Sequence, residues 1–313
     1  MALSEYLRDD GALDASNCAA GMSSALPDSQ LFAYRMAVDD LFKEVSTSLR
    51  PSDSAAAGEL VAKRLGQPEF TALFSGLDEG ADVVAVRLVS AIRDYRPSAT
   101  SYSSDLATFV RICLLSLIDS MWWRKATPFV SDADVLCSAE LVDLGPLRSA
   151  KMLRFQFRTQ PAGLPGRALD WALRQACPGI RPQVAGLRFT RSRPAVIAVI
   201  NQIARELAAA LPARTPCPWV TSMVRSEQHQ HHLRSLGYPA VLPSSHCAGY
   251  ACDVETLWFR QFDQDNVLAR LLLERQESGQ LNAIDEGYAW HVCVNPLACG
   301  ELQAVYDAEL RVR

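Results

Sequence analysis

Histidine is missing from the first 228 residues of this 313-residue chain. All five, His229, His231, His232, His246 and His291, fall in the last 85. Chemistry that needs an imidazole is therefore confined to that part. A basic excess is missing too: 31 Lys and Arg stand against 35 Asp and Glu, for a net charge of -4. That balance lacks the electrostatic footprint of a nucleic-acid-binding protein. No apolar run is long enough to cross a membrane. The most apolar stretch, FVRICLLSLIDSMWW (109–123), is interrupted by Arg111 and Asp119 with seven residues between them, against the ~20 a spanning helix requires. It reads as a buried helix, and no membrane partner is expected. The opening MALSEYLRDDGALD places acidic residues where an export signal needs cationic ones. Cysteine is neither paired nor dense: nine, an odd number, are scattered along a long chain. That pattern argues for reduced thiols rather than a disulfide framework, and for a cytoplasmic location.

With 49% hydrophobic residues, most of the chain is expected to fold around a substantial core. Residues 1–28 are small, polar and aperiodic, and read as a loose arm. From Ser29 to Leu49, Leu31, Tyr34, Val38, Leu41, Phe42, Val45 and Leu49 recur at helical spacing and Pro51 follows. Helices are also predicted over 82–95 and 105–123, so 29–130 reads as a helical bundle. The stretch 131–192 is mixed. MLRFQFR (152–158) alternates as a half-buried strand, RALDWALRQA (167–176) is helical, and GLRFT (186–190) is another strand.

The last third, 193–313, is richer in signals. Pro194 opens a helix that Pro212 follows. WVTSMV (219–224) reads as a strand. Ser226 caps a helix that Gly237 ends, 263–278 is amphipathic, and YAWHVCVN (288–295) is a strand. Two stretches carry the chemistry. In SSHCAGYACD, His246 and Asp253 bracket Gly249; in YAWHVCVN, His291 is the one histidine outside the 229–232 cluster and this stretch. Imidazole and carboxylate together suit a borderline dication, and a catalytic site keeps three protein ligands and an open position.

SSHCAGYACD resembles the S-x-H-x-x-G-x-A-x-D motif of the zinc D-Ala-D-Ala metallopeptidases, carboxypeptidases and dipeptidases that share a fold with the hedgehog signalling domain. The late WH resembles their second motif. TSMVRSEQHQHHL resembles their upstream strand-then-helix segment, in which an arginine follows the strand. The resemblance covers about 194–296, a third of the chain. It implies an α+β fold in which the helical N-terminal region is followed by a small antiparallel sheet flanked by helices, with the metal on the sheet's open face. It further implies Zn²⁺ held by His246, Asp253 and His291. Arg225 would pair with a substrate carboxylate or the oxyanion, and Ser245 would support the site or touch substrate.

Members of that family carry a glutamate three residues before the last histidine, as general base. Here Tyr288 occupies that position, and it becomes a candidate substrate contact. Asp285 and Glu286 are the nearest carboxylates. Strand parity from His291 favours Asp285. A bulge at Gly287 would bring Glu286 round instead, and Glu286 is the residue assigned as base. Glu255 shares parity with Asp253 as a further candidate, Cys293 shares the His291 face, and His229 with His232 could clamp a metal. The plainer reading of these last is a solvated carboxylate, a small buried thiol and a wet helix face. The expected function is a zinc peptidase or amidase acting on a small peptide with a D-amino acid. The alternatives are a zinc-binding module that recognises a peptide or protein without cutting it, or a processing enzyme whose N-terminal bundle recognises a larger substrate.

Overall fold

The computed structural model describes residues 26–96, 105–161, 186–236, 238 and 240–310, with a few positions between 162 and 185. The 1–28 arm (apart from its last residues), the 167–176 helix (apart from Ala172) and the Gly237 stop signal lie outside them. The architecture is α+β: helices first, then a mixed five-stranded sheet with flanking helices.

The helical part comprises α1 (Asp28–Ser48), α2 (Ser54–Arg64), α3 (Pro68–Phe74), α4 (Ala81–Arg93) and α5 (Leu106–Trp122). In α1 the buried residues are Leu31, Tyr34, Val38, Leu41 and Val45, the helical stripe read from the sequence. Asp105 caps α5 by accepting from the Thr108 amide. Fifteen of the seventeen residues of α5 are buried, Asp119 among them. Such a helix is a core element rather than a surface one. Among the described residues no helix is long and apolar enough to cross a membrane.

Next come α6 (Asp132–Cys137), β1 (Val142–Asp143), α7 (Leu144–Ser149), β2 (Gln156–Phe157), β3 (Arg191–Ser192) and α8 (Pro194–Ala210). They are followed by β4 (Trp219–Ser222), α9 (Glu227–Ser235), the single turn α10 (Ser245–Ala248), β5 (Ala251–Glu255), α11 (Val267–Glu277), β6 (Leu281–Asp285), β7 (Ala289–Val294) and α12 (Cys299–Glu309). Two predicted strands shrink. In 152–158, Phe155 and Phe157 are buried as the alternation implied, but only Gln156–Phe157 pairs, with Trp219 and Val220 of β4. In 186–190 a lone bridge between Thr159 and Leu187 forms.

The main sheet has the order β2-β4-β5-β7-β6. It is antiparallel from β4 to β6, as expected, but β2 pairs parallel to β4. The chain between those two strands contains α8, the crossover a parallel pair needs. Directly opposed residues share a face. One face therefore carries Ala251, Asp253, Glu255, Asn282, Ile284, Ala289, His291 and Cys293, and the other Cys252, Val254, Leu281, Ala283, Trp290, Val292 and Val294. Apart from Asp285 at the end of β6, opposite Trp290, the second face is apolar, and its apolar residues share one continuous core with α8 and α11. The first face is not open along its length. Asp119 of α5 reaches it through Asn282 and His291, so α5 covers part of it.

Gly249 turns the chain from α10 into β5. Its φ is +81°, and a Cβ there would lie 3.2 Å from Arg193 Nε and 3.3 Å from Phe129 Cε2. Gly279 shares the left-handed conformation (φ +75°) with nothing within 4 Å of such a Cβ. Gly279→Ala is expected to lose about 1–2 kcal/mol, the backbone cost alone, and Gly249→Ala distinctly more. Equal losses for the two in urea unfolding would contradict the close fit at Gly249.

Candidate metal centre

His246, Asp253 and His291 are brought together from three separate places. His246 stands on the one-turn helix α10, Asp253 in the middle of β5, and His291 directly opposite it on β7. Tyr250, between the first two, stacks on Trp123 with ring centroids 3.4 Å apart. Trp123 Nε1 donates to the Val294 carbonyl at 3.0 Å, and the buried Arg193 guanidinium lies over the other ring at 4.2 Å. The loop carrying His246 is thus clamped between α5 and α8.

The facing atoms form a nearly equilateral triangle. His246 Nε2 lies 3.1 Å from Asp253 Oδ1 and 3.1 Å from His291 Nδ1, and His291 Nδ1 lies 3.0 Å from Asp253 Oδ1. All three residues are buried. The group could hold a metal ion. Each residue's other polar atom is already engaged. His246 Nδ1 is 2.7 Å from the Met223 carbonyl, so that nitrogen donates and Nε2 presents its lone pair. His291 Nε2 is 2.8 Å from Asp119 Oδ2. Asp253 Oδ2 accepts from Arg225 Nη2 at 2.8 Å.

Arg225 is therefore turned onto Asp253. Its Nε donates to Ser222 Oγ at 2.8 Å and its Nη1 to Gln230 Oε1 at 3.1 Å. An irregularity in the β4–β5 register places Ser222 opposite Asp253. Arg225, expected at a substrate carboxylate or oxyanion, is in this structure engaged with Asp253, Ser222 and Gln230. Ser245 Oγ donates to Asp119 Oδ2 at 3.1 Å, beside His291.

The base candidates separate clearly. β6 and β7 form a hairpin, and Glu286, Gly287 (φ +90°) and Tyr288 are its turn. Ile284 is opposite His291 and Asp285 opposite Trp290, so Asp285 projects from the other face, where its Oδ1 accepts from the Gly287 amide. The parity argument for Asp285 fails because it ran one strand straight through a turn. Glu286, whose amide donates to the Ala289 carbonyl at 3.0 Å, continues the His291 face. The hairpin, rather than a bulge, puts it there. Glu255 Oε1 instead accepts from the Trp258 amide at 2.6 Å, holding the turn after β5. Burial pushes the Cys293 thiol well up, which disfavours the thiolate a metal needs. His229 and His232 sit with ring centroids 6.4 Å apart, and neither belongs to a metal-capable group among the described residues.

The site's charges are strongly shifted. Burial lowers His246 to about 4, with Arg225 contributing. Burial would also lower His291, but hydrogen bonds to Asp119 and Asp253 outweigh it and raise the ring to about 10. Burial would raise Asp253; the His246 ring, the hydrogen bonds from both histidines, and Arg225 outweigh it and hold the carboxyl well below its usual range. Burial, then the Asp253 carboxylate, raises Glu286 to about 8. A cavity of about 390 Å³, lined by Lys151, Arg154, Asn201, Arg205 and Cys217 among others, shares no residue with this centre.

Asp119, Met223, Ser222 and Asn282 were not picked out from the sequence. Only Asp119 left a signal there, as a carboxylate inside an apolar run. Comparison with known proteins adds no assignment: no family model, curated protein or solved structure matches the chain.

With its pKa raised to about 10, the His291 ring is expected to hold its second proton at neutral pH, on the Asp253 side. A cation bound at Nδ1 would displace it. Binding near pH 7 is expected to release about one proton, and affinity to rise with pH until about 10. Calorimetry in buffers of differing ionisation enthalpy measures the release. The same raised value stabilises the metal-free fold below the ordinary histidine pKa, and that contribution is lost as pH climbs through about 10. Binding with no proton released between pH 6 and 9 would contradict this account.

Proposed function

We propose that the chain is a zinc-dependent peptidase or amidase that hydrolyses a short peptide with a D-amino acid, of the D-Ala-D-Ala kind, in the cytoplasm. The observation that carries this reading is the triangle of His246 Nε2, Asp253 Oδ1 and His291 Nδ1, 3.0–3.1 Å on a side. Tetrahedral zinc with bonds of about 2.0–2.2 Å separates its ligand atoms by about 3.3–3.5 Å, close to what stands there. Two imidazoles and one carboxylate are the donor set of a catalytic zinc site, which leaves one position for reaction. The resemblance of SSHCAGYACD and the late WH to the zinc D-Ala-D-Ala metallopeptidases supports the same choice of metal and substrate.

When bound, zinc supplies Lewis acidity that makes water nucleophilic near neutral pH and polarises a carbonyl. Glu286 takes the proton of the attacking water and returns it to the leaving amine. Its pKa of about 8 in the metal-free chain is drawn down by a neighbouring dication, toward the range in which a general base works. Arg225 keeps Asp253 ionised and oriented. Tyr288, whose pKa is raised by burial and by Glu286, remains a phenol and offers an O–H donor to substrate.

One observation favours a second reading, a zinc-binding module that recognises a peptide without cutting it. The arginine that would steady an oxyanion is committed to Asp253. The two readings part on experiment. Stoichiometric zinc in the purified protein, lost in His246→Ala, is the expected outcome for both; absence of metal from the wild type removes both. Turnover of D-Ala-D-Ala dipeptide or of peptides ending in it is expected for the first. Glu286→Gln should then lower kcat by about 10²–10⁴-fold with metal content unchanged. Zinc-loaded wild type that binds such peptides without cleaving them would select the second.

A further inference from the structure

Asp119 is the least expected residue near the centre. It lies on α5 among buried apolar neighbours and is itself 2% exposed. A carboxylate so placed is costly unless each oxygen is satisfied. Here both are. Oδ2 accepts from His291 Nε2 at 2.8 Å and from Ser245 Oγ at 3.1 Å, and Oδ1 accepts from Asn282 Nδ2 at 2.9 Å. Asn282 is held in turn: its Nδ2 also donates to the Leu115 carbonyl at 3.2 Å, and its Oδ1 accepts from Arg35 Nη2 of α1 at 3.2 Å. The two buried carboxylates therefore have separate cationic support, Arg225 directly on Asp253 and Arg35 behind Asn282.

An imidazole that ligates a metal through one nitrogen needs a defined partner on the other, to fix both tautomer and ring orientation. His246 has the Met223 carbonyl for this. For His291 the nearer partner on Nε2 is a carboxylate from the helical part, 172 residues away in sequence, at 2.8 Å, with Ser245 Oγ farther off at 3.5 Å. We propose that Asp119 is a positioning residue of the metal centre. It holds His291 with Nδ1 turned to the point shared with His246 and Asp253. The helical N-terminal part is then a structural component of the site rather than an appended recognition module. The proposal rests on reading those three residues as metal ligands.

The test uses full-length protein, with zinc affinity measured by competition against a chelator of known affinity. Visible d–d spectra of the Co²⁺-substituted protein report ligand geometry. Asp119→Asn is expected to weaken zinc about 10–100-fold and to shift the Co²⁺ bands, with the metal-free circular dichroism preserved. Ser245→Ala and Asn282→Ala, which remove one support each from Asp119, should give smaller losses in the same direction. If Asp119→Asn does not fold, those two carry the test. Unchanged affinity and an unchanged Co²⁺ spectrum in the folded variants overturn the positioning role while leaving the metal reading intact. A wild type that binds neither metal overturns the metal reading itself.

Discussion

Three electron-rich atoms within 3.1 Å of one another, away from water, must share something positive. That constraint organises the centre. Without a cation the shared charge is the proton on His291, which is why its pKa climbs to about 10 while His246, equally buried, falls to about 4. The asymmetry between the two rings follows from their partners. His291 lies between two carboxylates, whereas His246 faces a carbonyl on one side and shares Asp253 with Arg225 nearby on the other. A dication at the same point satisfies all three atoms at once and lets both rings be neutral.

The rest of the sheet is arranged around that demand. Asp253 and His291 are directly opposed, so two adjacent antiparallel strands deliver two donors to one face without any special backbone. The third donor cannot come from the same two strands at that spacing. It arrives on a single helical turn, stopped by a left-handed glycine and locked through Tyr250 against Trp123. The sharp turn explains the spacing of seven between His246 and Asp253: the last two helical residues, the glycine, Tyr250 and the first two residues of β5 lie between them.

The grouping of His246, Asp253 and His291 was legible in the sequence because they lie within or beside short motifs with small residues at the turn. The helices were legible wherever an apolar stripe met a capping residue or proline, as in α1, α5 and α8. What escaped was whatever depends on a partner from elsewhere. Residues 152–158 alternate correctly, yet a strand exists only as far as another strand pairs with it, and β4 is short. The Asp285–Glu286–Gly287–Tyr288 segment lacks the Asn-Gly type of hairpin signal, so a turn was read as a bulge within one strand. Glu286 reaches the His291 side through the hairpin instead: it stands across from Ala289, two residues along that face. Arg225 stands beside Asp253, and which carboxylate it grips is a matter of tertiary distance that no local pattern encodes.

Asp119 shows how one physical fact supports two inferences of unequal depth. A charged residue inside FVRICLLSLIDSMWW excludes a membrane span on composition alone. The same charge, once buried, demands a partner of matching strength, and the sequence says nothing about where that partner is. In the fold the demand is met by His291, Ser245 and Asn282, all from the C-terminal third. The apolar remainder of α5 meets that part as well, since one continuous core runs from Leu31 to Leu310. A boundary drawn near residue 193 by motif content therefore does not coincide with a gap in the core. Cutting there would strip Trp123 from Tyr250 and Asp119 from His291 together. The helical region and the sheet share that core and meet at His291 through Asp119.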